Sequence, residues 1–320
     1  MKLLVTGGAG FIGSNFIRHM MKTHPDDEIV NLDALTYAGN PDNLKDINND
    51  PRYTFARGNI CDNKLVNTIL ERHKIDTIVH FAAESHVDRS IADASAFVKT
   101  NVLGTHTLLD AARRHAIRKF IHISTDEVYG SIPEGSFKET DILTPSSPYS
   151  SSKAGSDLLA HSYFTTYNLP VIITRCTNNF GPCQYPEKLI PLFVTNLIDG
   201  KKVPVYGSGK NIRDWIHVND HCRAVDFLLH KGNSGEIYNI GGGSERTNRE
   251  ITEKILELLR KDESMIEYVT DRPGHDFRYS LDCSKLRALG WKPCHPFEEG
   301  LEDTVNWYVQ NEWWWRPLKK

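Results

Sequence analysis

The chain opens, at residues 2–13, with Lys2-Leu3-Leu4-Val5-Thr6-Gly7-Gly8-Ala9-Gly10-Phe11-Ile12-Gly13. The apolar run up to Thr6 predicts a short buried strand, and the apolar spacing after Gly13 predicts a helix. Between them lies the pattern Gly8-x-Gly10-x-x-Gly13. Glycines in this context make a tight turn, let the backbone approach a pyrophosphate, and place that group at a helix N-terminus whose free amides hold its charge. The stretch therefore predicts a dinucleotide-binding site rather than a purely structural turn.

An acidic residue supports the same interpretation. Residues 29–33 predict the second strand, which ends on Asp33 about twenty residues after Gly13. A carboxylate at this position accepts a hydrogen bond from a ribose 2′-hydroxyl and repels a 2′-phosphate. The sequence therefore predicts NAD, in preference to NADP, as the cofactor.

Strand-like and helix-like stretches alternate over the first 175 residues, which is typical of a parallel sheet with right-handed helical crossovers. Further apolar runs predict strands at Tyr53–Ala56, Thr77–Ala82, Phe120–Ser124 and Val171–Thr174. We expect an α/β fold with a Rossmann-like, doubly wound parallel sheet over residues 1–175, to which residues 210–232 return. Residues 176–209 and 233–320 are expected to form a smaller, mixed α/β lobe that binds the substrate.

Composition argues against several classes of protein. The formal net charge of −3 gives no electrostatic reason to expect nucleic acid or an anionic membrane as a partner. No apolar run approaches the ~20 residues that span a bilayer, and no signal peptide precedes the first predicted strand. The six cysteines are scattered, without the spacing of a metal site, as expected for reduced thiols. We therefore expect a soluble cytoplasmic protein without a metal ion.

A tyrosine and a lysine stand one helical turn apart near the middle of the chain. Ser147 and Pro148 predict a helix start, with serine as the N-cap and proline at the first helical position. Tyr149 and Lys153 then share one face of that helix. A phenol of pKa ~10 must lose roughly three units, or about 4 kcal/mol, to act as a base at neutral pH. We expect the lysine ammonium and the positive nicotinamide of oxidised NAD to lower the pKa of Tyr149.

Three further polar side chains follow the predicted strand at residues 120–124. Thr125, Asp126 and Glu127 stand where that strand ends. In an open parallel sheet, ligands bind at the carboxyl ends of the strands, so this row is expected to face the chemistry. Side chains alternate across a regular strand. Both carboxylates can therefore reach one substrate only if the backbone leaves strand geometry here.

The sequence resembles the extended short-chain dehydrogenase/reductase family, in its nucleotide-sugar branch, and within that branch the nucleotide-sugar 4,6-dehydratases. The matching stretches span nearly the whole chain. They are residues 6–13, 82–90, 175–182, 186–191, 211–215 and 271–276, together with Tyr149-x-x-x-Lys153.

The resemblance implies a reaction in three stages on dTDP-glucose. Tyr149 takes the proton of the C4 hydroxyl, which Thr125 holds, while a hydride passes from C4 to NAD. Glu127 then removes the C5 proton, and Asp126 protonates the departing C6 hydroxyl. The hydride finally returns to C6 and leaves a 4-keto-6-deoxy sugar. For Asp126 to act as an acid near neutrality its pKa must rise, through burial or through its charged neighbour.

The resemblance also implies two sets of binding residues and a homodimer formed by the helices at residues 105–115 and 149–167. The expected NAD contacts are Gly7, Gly10, Phe11, Ile12, Gly13, Asp33, Ala34, Leu35, Thr36, Asn59, Ile60, Phe81, Ala82, Ala83, Ser85, Thr100, Tyr149, Lys153 and Asn179. The expected substrate contacts are Ser85, Thr125, Asn178, Lys188, Leu189, Pro204, Tyr206, Arg213, Asn248, Arg272 and His275. Positions with a cation are candidates for the diphosphate, because an arginine fork donates two parallel hydrogen bonds to phosphate.

Two alternatives remain open. A 4-epimerase or a uronate decarboxylase of the same fold would share the glycine loop, Tyr149 and Lys153 but would not need an acid and a base at C5 and C6. An NAD-binding regulator without activity would need none of these side chains. Asp126 beside Glu127 is therefore the feature that favours a dehydratase. The sequence does not decide between dTDP and UDP as the nucleotide.

Overall fold

The structure, a computed structural model, describes residues 1–271 and 273–319. Its strands are, in chain order, β1 (Lys2–Thr6), β2 (Glu28–Asp33), β3 (Tyr53–Arg57), β4 (Thr77–His80), β5 (Lys119–Thr125), β6 (Val171–Cys176), β7 (Asn178–Phe180), β8 (Val203–Tyr206), β9 (Ile212–His217), β10 (Ile237–Ile240), β11 (Glu245–Thr247) and β12 (Ile266–Val269).

The helices lie between these strands and after the last of them. They are α1 (Phe11–Thr23), α2 (Asn63–His73), α3 (Val87–Ala92), α4 (Ser95–Phe97), α5 (Thr105–Arg114), α6 (Pro148–Tyr167), α7 (Leu189–Ile198), α8 (Val218–Lys231), α9 (Asn248–Leu258), α10 (Ser284–Ala288), α11 (Phe297–Gln310) and α12 (Glu312–Trp315). A π-helical stretch, Val98–Gly104, runs directly into α5, and a 3-10 turn, Asp126–Tyr129, follows β5. Within residues 1–271 and 273–319, no helix is long and apolar enough to cross a membrane.

The main sheet confirms the predicted fold class. Over the described residues it has seven strands in the order β3-β2-β1-β4-β5-β6-β10, and every neighbouring pair is parallel. From β1 the sheet grows in one direction through β2 and β3, and in the other direction through β4, β5, β6 and β10. The strand order therefore reverses between β1 and β4. A doubly wound sheet opens its ligand crevice at this switch point, outside the carboxyl ends of the strands.

The domain boundaries expected from the sequence differ from the structure in two places. Strand β10 belongs to the range 233–320 that was expected in the smaller lobe, yet it extends the main sheet by pairing with β6. Strand β9 belongs to the range 210–232 that was expected to return to the first domain, yet it pairs with β7 and β11 in a three-stranded sheet. Helix α8 does pack on the first domain, against α1. Short apolar strands look alike in sequence, so only their tertiary pairing assigns them to a sheet.

Two apolar layers hold the main sheet. On one face, Phe16, Ile17 and Met20 of α1 pack with Val225 and Leu228 of α8, and all five side chains are fully buried. The other face is covered by α2, α5 and α6. A third cluster joins α7, α9 and the C-terminal helices in the smaller lobe. Because both faces are covered, the strand ends at the switch point are held rigidly, and the site is built on them.

Candidate active site

Two cavities meet at the carboxyl edge of the main sheet. The first, of about 330 Å³, lies over the ends of β1, β4 and β5, and the second, of about 210 Å³, lies against the smaller lobe. Four residues line both cavities: Glu127, Asn178, Glu187 and Lys188. The two spaces therefore form one cleft, and Glu127 stands where they join.

The predicted cofactor residues come together in the first cavity, with one exception. Its lining includes Gly7, Gly10, Phe11, Ile12, Gly13, Asp33, Ala34, Thr36, Asn59, Ile60, Phe81, Ala82, Ala83, Ser85, Thr100, Tyr149, Lys153 and Asn179. Leu35 lines neither cavity. Its backbone N–H donates to Asp33 Oδ1 at 2.8 Å. Leu35 therefore orients the Asp33 carboxylate through its backbone and does not present its side chain to the cleft.

The glycine loop fits a pyrophosphate. A Cβ at Gly13 would stand 2.4 Å from the carbonyl oxygen of Gly7, and a Cβ at Gly7 would stand 2.6 Å from the amide nitrogen of Ala82. Gly7 also has φ +70°, which favours glycine. Gly10 is the N-cap of α1 and has no side chain with which to occupy the first amides of the helix. The loop therefore brings bare backbone and a helix N-terminus to the cavity wall, as an anionic diphosphate requires.

Asp33 is placed for the ribose. It ends β2, is buried, and lines the first cavity. Its Oδ2 accepts from the amide of Ala9 at 2.9 Å while its Oδ1 accepts from Leu35. Burial raises the pKa of Asp33, although the two backbone donors counteract that rise. Each carboxylate oxygen has a second lone pair, so Asp33 can still accept from a hydroxyl in the cavity.

The backbone leaves strand geometry where the sequence requires it to. Strand β5 ends at Thr125, whose Oγ1 accepts from the amide of Glu127 at 3.3 Å and so starts the 3-10 turn. Because of this turn, Asp126 and Glu127 both line the first cavity instead of pointing to opposite faces of a strand. Gly130 closes the turn at φ +84°, where a Cβ would stand 2.5 Å from the carbonyl oxygen of Thr144.

Asp126 is a protonated acid at neutral pH. Burial, followed by repulsion from Glu127, raises the pKa of Asp126 to about 8, against the attraction of Arg213. Thr125 Oγ1 lies 3.1 Å from Asp126 Oδ1. Within the described part of the chain, the buried Asp126 Oδ2 has no hydrogen-bond partner. A buried carboxyl oxygen without a protein partner is available to hydrogen-bond a ligand in the cavity or to donate a proton to it.

Helix α6 positions the tyrosine and the lysine as the sequence predicts. Ser147 caps it in a capping box with Ser150, and Pro148 is its first residue. Tyr149 is buried, and its phenol hydrogen-bonds the Thr125 side chain. Lys153 Nζ donates to the carbonyl oxygen of Ile123 at 2.7 Å. One turn of α6 thus faces the end of β5 across the cavity.

Without a bound cofactor, the pKa of Tyr149 is raised rather than lowered, and the expected lowering by Lys153 together with the nicotinamide of NAD stays a prediction. Burial raises the pKa of Tyr149, and the negative charge of Glu127 raises it further. Burial also lowers the pKa of Lys153 to about 8, against the attraction of Asp157. The pocket penalises both charged forms because it removes them from water. A phenolate here needs more positive charge than one lysine provides.

A buried network beneath the site was missed by sequence reasoning. Arg175 Nε donates to Asp157 Oδ2 at 2.9 Å, and its Nη1 donates to Tyr129 Oη at 2.8 Å. Tyr129 in turn donates to Asn239 Oδ1 at 2.9 Å. Burial opposes the ionisation of Asp157, but His122, whose Nε2 lies 3.3 Å from Asp157 Oδ1, and the charge of Arg175 lower its pKa overall. This network fixes α6 to β5, β6 and β10. Its members lie up to 110 residues apart, so no local pattern signals it.

The predicted substrate residues divide between the two cavities. Ser85 and Thr125 line the first. The second is lined by Asn178, Lys188, Leu189, Pro204, Tyr206, Arg213, Asn248 and His275. Arg272 lies outside the described residues. Most of the predicted set therefore meets in one cleft.

Two of the cations in this set are held by backbone carbonyl groups. Lys188 Nζ donates to the carbonyl of Ser85 at 2.8 Å. Arg213 is buried, donates to the carbonyls of Ile212 and Asp276 at 2.7 and 2.9 Å, and stacks on Tyr279 at 4.1 Å. These contacts fix the two charges in place at the wall of the second cavity.

Tyr37 and Glu187 also line the first cavity and were not predicted. The guanidinium of Arg89 stacks on the Tyr37 ring at 4.1 Å, and Tyr185 meets the same ring edge-on at 5.6 Å. Burial and the neighbouring Glu187 raise the pKa of Tyr37. Tyr37 and Glu187 lie about 150 residues apart in the sequence, so their meeting in the cavity could not be seen in any local pattern.

Comparison with known proteins places this cleft in a family. The model of the family described as GDP-mannose 4,6 dehydratase matches residues 4–304. The dTDP-glucose 4,6-dehydratase of Streptomyces niveus is 55% identical to this chain, and the alignment covers 100% of this chain and 96% of the relative's chain. The dTDP-glucose 4,6-dehydratase DesIV of Streptomyces venezuelae, crystallised with NAD, has a TM-score of 0.98 at 56% identity, with 100% of both chains covered.

A more distant structure shares the fold. The UDP-glucose 4-epimerase of Thermus thermophilus, also crystallised with NAD, has a TM-score of 0.90 at 30% identity, with 97% of this chain and 100% of its own covered. The fold alone thus accommodates both chemistries, whereas the Streptomyces relatives at 55% and 56% identity carry dehydratase names. The chain belongs to the GDP-mannose 4,6 dehydratase family, and it is similar over its full length to the dTDP-glucose 4,6-dehydratases.

Proposed function

We propose that this protein is a hydro-lyase that converts dTDP-glucose to dTDP-4-keto-6-deoxyglucose. The observation that carries the proposal is the pair Asp126 and Glu127, of which the first is buried with a pKa of about 8. Both side chains line a cavity that also contains Tyr149 and Lys153. Tyr149 and Lys153, the pair that serves the redox step, would be needed in several reactions of this fold. An adjacent acid and base, by contrast, are needed for elimination.

The first cavity fits NAD, which when bound supplies a reversible two-electron acceptor and a positive nicotinamide ring. The bare backbone of the glycine loop and the N-terminus of α1 would hold its pyrophosphate. Asp33 would accept from a ribose hydroxyl, which favours NAD over NADP. The positive ring would also provide the additional charge that Tyr149 needs to lose its proton.

Tyr149 then acts as the base for the C4 hydroxyl. Its phenol already hydrogen-bonds Thr125, so both groups are placed to hold the same hydroxyl. Lys153, fixed on the carbonyl of Ile123, adds positive charge behind the phenol. Removal of the hydroxyl proton by Tyr149, together with loss of the C4 hydride, which bound NAD would accept, would leave a C4 ketone that acidifies the hydrogen on C5.

Elimination uses the two carboxyl groups in opposite protonation states. Glu127 takes the C5 proton, and the electron pair of that C–H bond forms the C5–C6 double bond. Asp126 gives its proton to the C6 hydroxyl, which leaves as water. The hydride that NAD would have accepted would then return to C6, and C5 would regain a proton from Glu127, which gives the 4-keto-6-deoxy sugar. These roles are the ones that the family resemblance implies. The position of Asp126, buried in the first cavity, and of Glu127, at the junction with the second, supports the proposal.

We further propose that the two lobes divide the binding. The main sheet and its helices hold NAD, and the smaller lobe, without β10, holds the nucleotide diphosphate through Lys188, Arg213, Arg272 and His275. The cations at the wall of the second cavity support this division, because diphosphates are bound by fixed positive charge.

The protein is also proposed to be a cytoplasmic homodimer. Of the helices expected at the dimer contact, α6 exposes Leu158 at 62% and Tyr167 at 52%. The π-helical stretch that runs into α5 exposes Val98 at 54% and Leu103 at 49%. Such residues suit a helical interface with a second copy of the chain. The six free cysteines, of which four are buried, suit a reducing compartment.

The test is product analysis with two substrates. Purified, NAD-loaded protein is incubated with dTDP-glucose and, separately, with UDP-glucose, and the products are weighed by mass spectrometry. We expect the loss of one water from dTDP-glucose, and a slower loss from UDP-glucose. Unchanged mass with dTDP-glucose would reject the proposal. Unchanged mass accompanied by a galactose epimer, separated by chromatography, would instead assign a 4-epimerase.

A further inference from the structure

A cluster of three histidines around one carboxylate lies toward the C-terminal ends of α1 and α8, apart from the residues that line the two cavities. His19 and His24 come from α1 and its C-cap, and Asp226 and His230 come from α8. His24 Nε2 lies 2.9 Å from Asp226 Oδ1, and His19 Nε2 lies 2.8 Å from Asp226 Oδ2. His230 Nδ1 lies 3.2 Å from the same Oδ1 that His24 contacts. Neither the cofactor site nor the substrate site uses these residues.

The spacing of three of these atoms suits a metal ion. His24 Nε2, Asp226 Oδ1 and His230 Nδ1 all lie within 4.8 Å of one another. A tetrahedral zinc site with bonds of roughly 2.0–2.1 Å has ligand–ligand edges of about 3.3 Å. The two measured N–O separations, 2.9 and 3.2 Å, are close to such edges. Both imidazole nitrogens therefore face the same carboxylate oxygen, at separations that need to open by only about 0.1–0.4 Å to reach such edges.

The surroundings favour a cation. His24 caps the C-terminus of α1, and His230 is the penultimate residue of α8, so the negative ends of two helix dipoles meet at the cluster. The Asp226 side chain is only 13% exposed, whereas His24 is 26% and His230 42% exposed. An ion can thus enter from solvent and meet a largely buried carboxylate.

We propose that His24, Asp226 and His230 bind a Zn²⁺-class divalent ion, with His19 as the positioning residue that holds the second oxygen of the carboxylate. Two imidazoles and a carboxylate are a ligand set that zinc accepts. Binding requires His230 Nδ1 to release its hydrogen bond with the carbonyl oxygen of Asp226, now 2.9 Å long, and to carry its proton on Nε2. The ion would tie α8 to α1, the helix that bears the glycine loop.

The described residues contain a second group of this kind, which provides a matched control. Asp220, Cys294 and His295 also lie within 4.8 Å of one another. There, however, Arg223 Nη1 stands 2.9 Å from Asp220 Oδ1 and 2.6 Å from Cys294 Sγ. A guanidinium already occupies the position that an ion would need, so this second group is not expected to bind one.

The test titrates Zn²⁺ into untagged, NAD-loaded protein that has first been stripped with a chelator, using isothermal titration calorimetry. We expect one equivalent per chain. The variant His24→Gln/His230→Gln should weaken binding by at least about 100-fold, and His19→Gln by about 10-fold, as for other residues that orient a ligand. The control Cys294→Ser/His295→Gln should bind as the wild type does. No uptake by the wild type, or uptake that the first variant leaves intact, overturns the proposal.

A second measurement does not depend on the variants folding. X-ray absorption at the zinc edge of the loaded wild-type protein counts the atoms that bind the metal. We expect only nitrogen and oxygen atoms in the coordination shell of the zinc. The spectrum should also show the multiple-scattering features that two or more bound imidazole rings produce. Sulfur in the coordination shell would instead assign the ion to Cys294 and contradict the proposal.

Discussion

Replacing Asp126 by asparagine should slow dehydration and stabilise the fold at the same time. Asp126 is 3% exposed, and burial together with Glu127 raises its pKa to about 8. At pH 7 a group with this pKa is roughly 90% protonated, so it is ready to give its proton to a leaving hydroxyl. Asparagine keeps the shape of the side chain but cannot release a proton in this range.

The two effects have different sizes and opposite signs. Loss of a general acid should lower the rate of water loss by about 10²–10⁴. In the unfolded chain the carboxyl ionises at its ordinary pKa of 3.8, so at pH 7 folding must add a proton to it. With a folded pKa near 8, the gap of roughly three units corresponds to about 4 kcal/mol at pH 7. This cost grows as pH rises from about 4 to about 8 and then stays constant. Asp126→Asn should therefore be more stable than the wild type at pH 7, by up to about 4 kcal/mol, and nearly equal to it at pH 4.

Both effects can be measured on the same samples. Mass spectrometry follows water loss from dTDP-glucose, and urea unfolding at pH 4 and pH 7 measures stability. Asp303→Asn, on an exposed position of α11, is the matched control and should change neither quantity. The wild-type rate should also fall about tenfold per pH unit above about pH 8, as the acid ionises. Dehydration by Asp126→Asn at the wild-type rate, or a loss of stability at pH 7, would refute the reasoning.

Three further substitutions test the rest of the site. Gly13→Ala places a Cβ 2.4 Å from the carbonyl oxygen of Gly7; it should cost about 1–3 kcal/mol in urea unfolding and prevent retention of NAD. Gly155→Ala, whose Cβ would meet its nearest atom at 3.5 Å, should be tolerated in the same assay. Lys153→Met should abolish formation of reduced cofactor on mixing with dTDP-glucose, and a normal absorbance change would remove Lys153 from its proposed role. Asp33→Asn should weaken the binding of NAD about tenfold in a fluorescence titration and reduce the preference for NAD over NADP. An unchanged preference would show that Asp33 does not contact the ribose.

Local chemistry made much of the fold predictable. The start of α6 at Pro148, with Ser147 as its N-cap, was predicted and is confirmed. Caps and alternating apolar patterns act within a few residues, so the sequence displays them directly. Sheet membership is different, because a short apolar strand such as β10 can pair with several neighbours, and only the assembled core selects among them.

The site could be predicted where one short stretch carries its chemistry. The turn after Thr125 was required by the need to bring two adjacent carboxylates into one cavity, and it is present. The direction of the Tyr149 pKa could not be predicted, because burial acts from all sides of a pocket whose walls come from distant segments. The same limit hid the histidine cluster, since His24 and Asp226 are 202 residues apart.

The central claim is that the chain separates a redox pair, Tyr149 and Lys153, from an elimination pair, Asp126 and Glu127. The double variant Asp126→Asn/Glu127→Gln tests it most directly, with absorbance of the reduced nicotinamide and product mass recorded on one reaction with dTDP-glucose. We predict that reduced cofactor forms on the enzyme while the sugar loses no water. Loss of water at a rate near that of the wild type would contradict the claim.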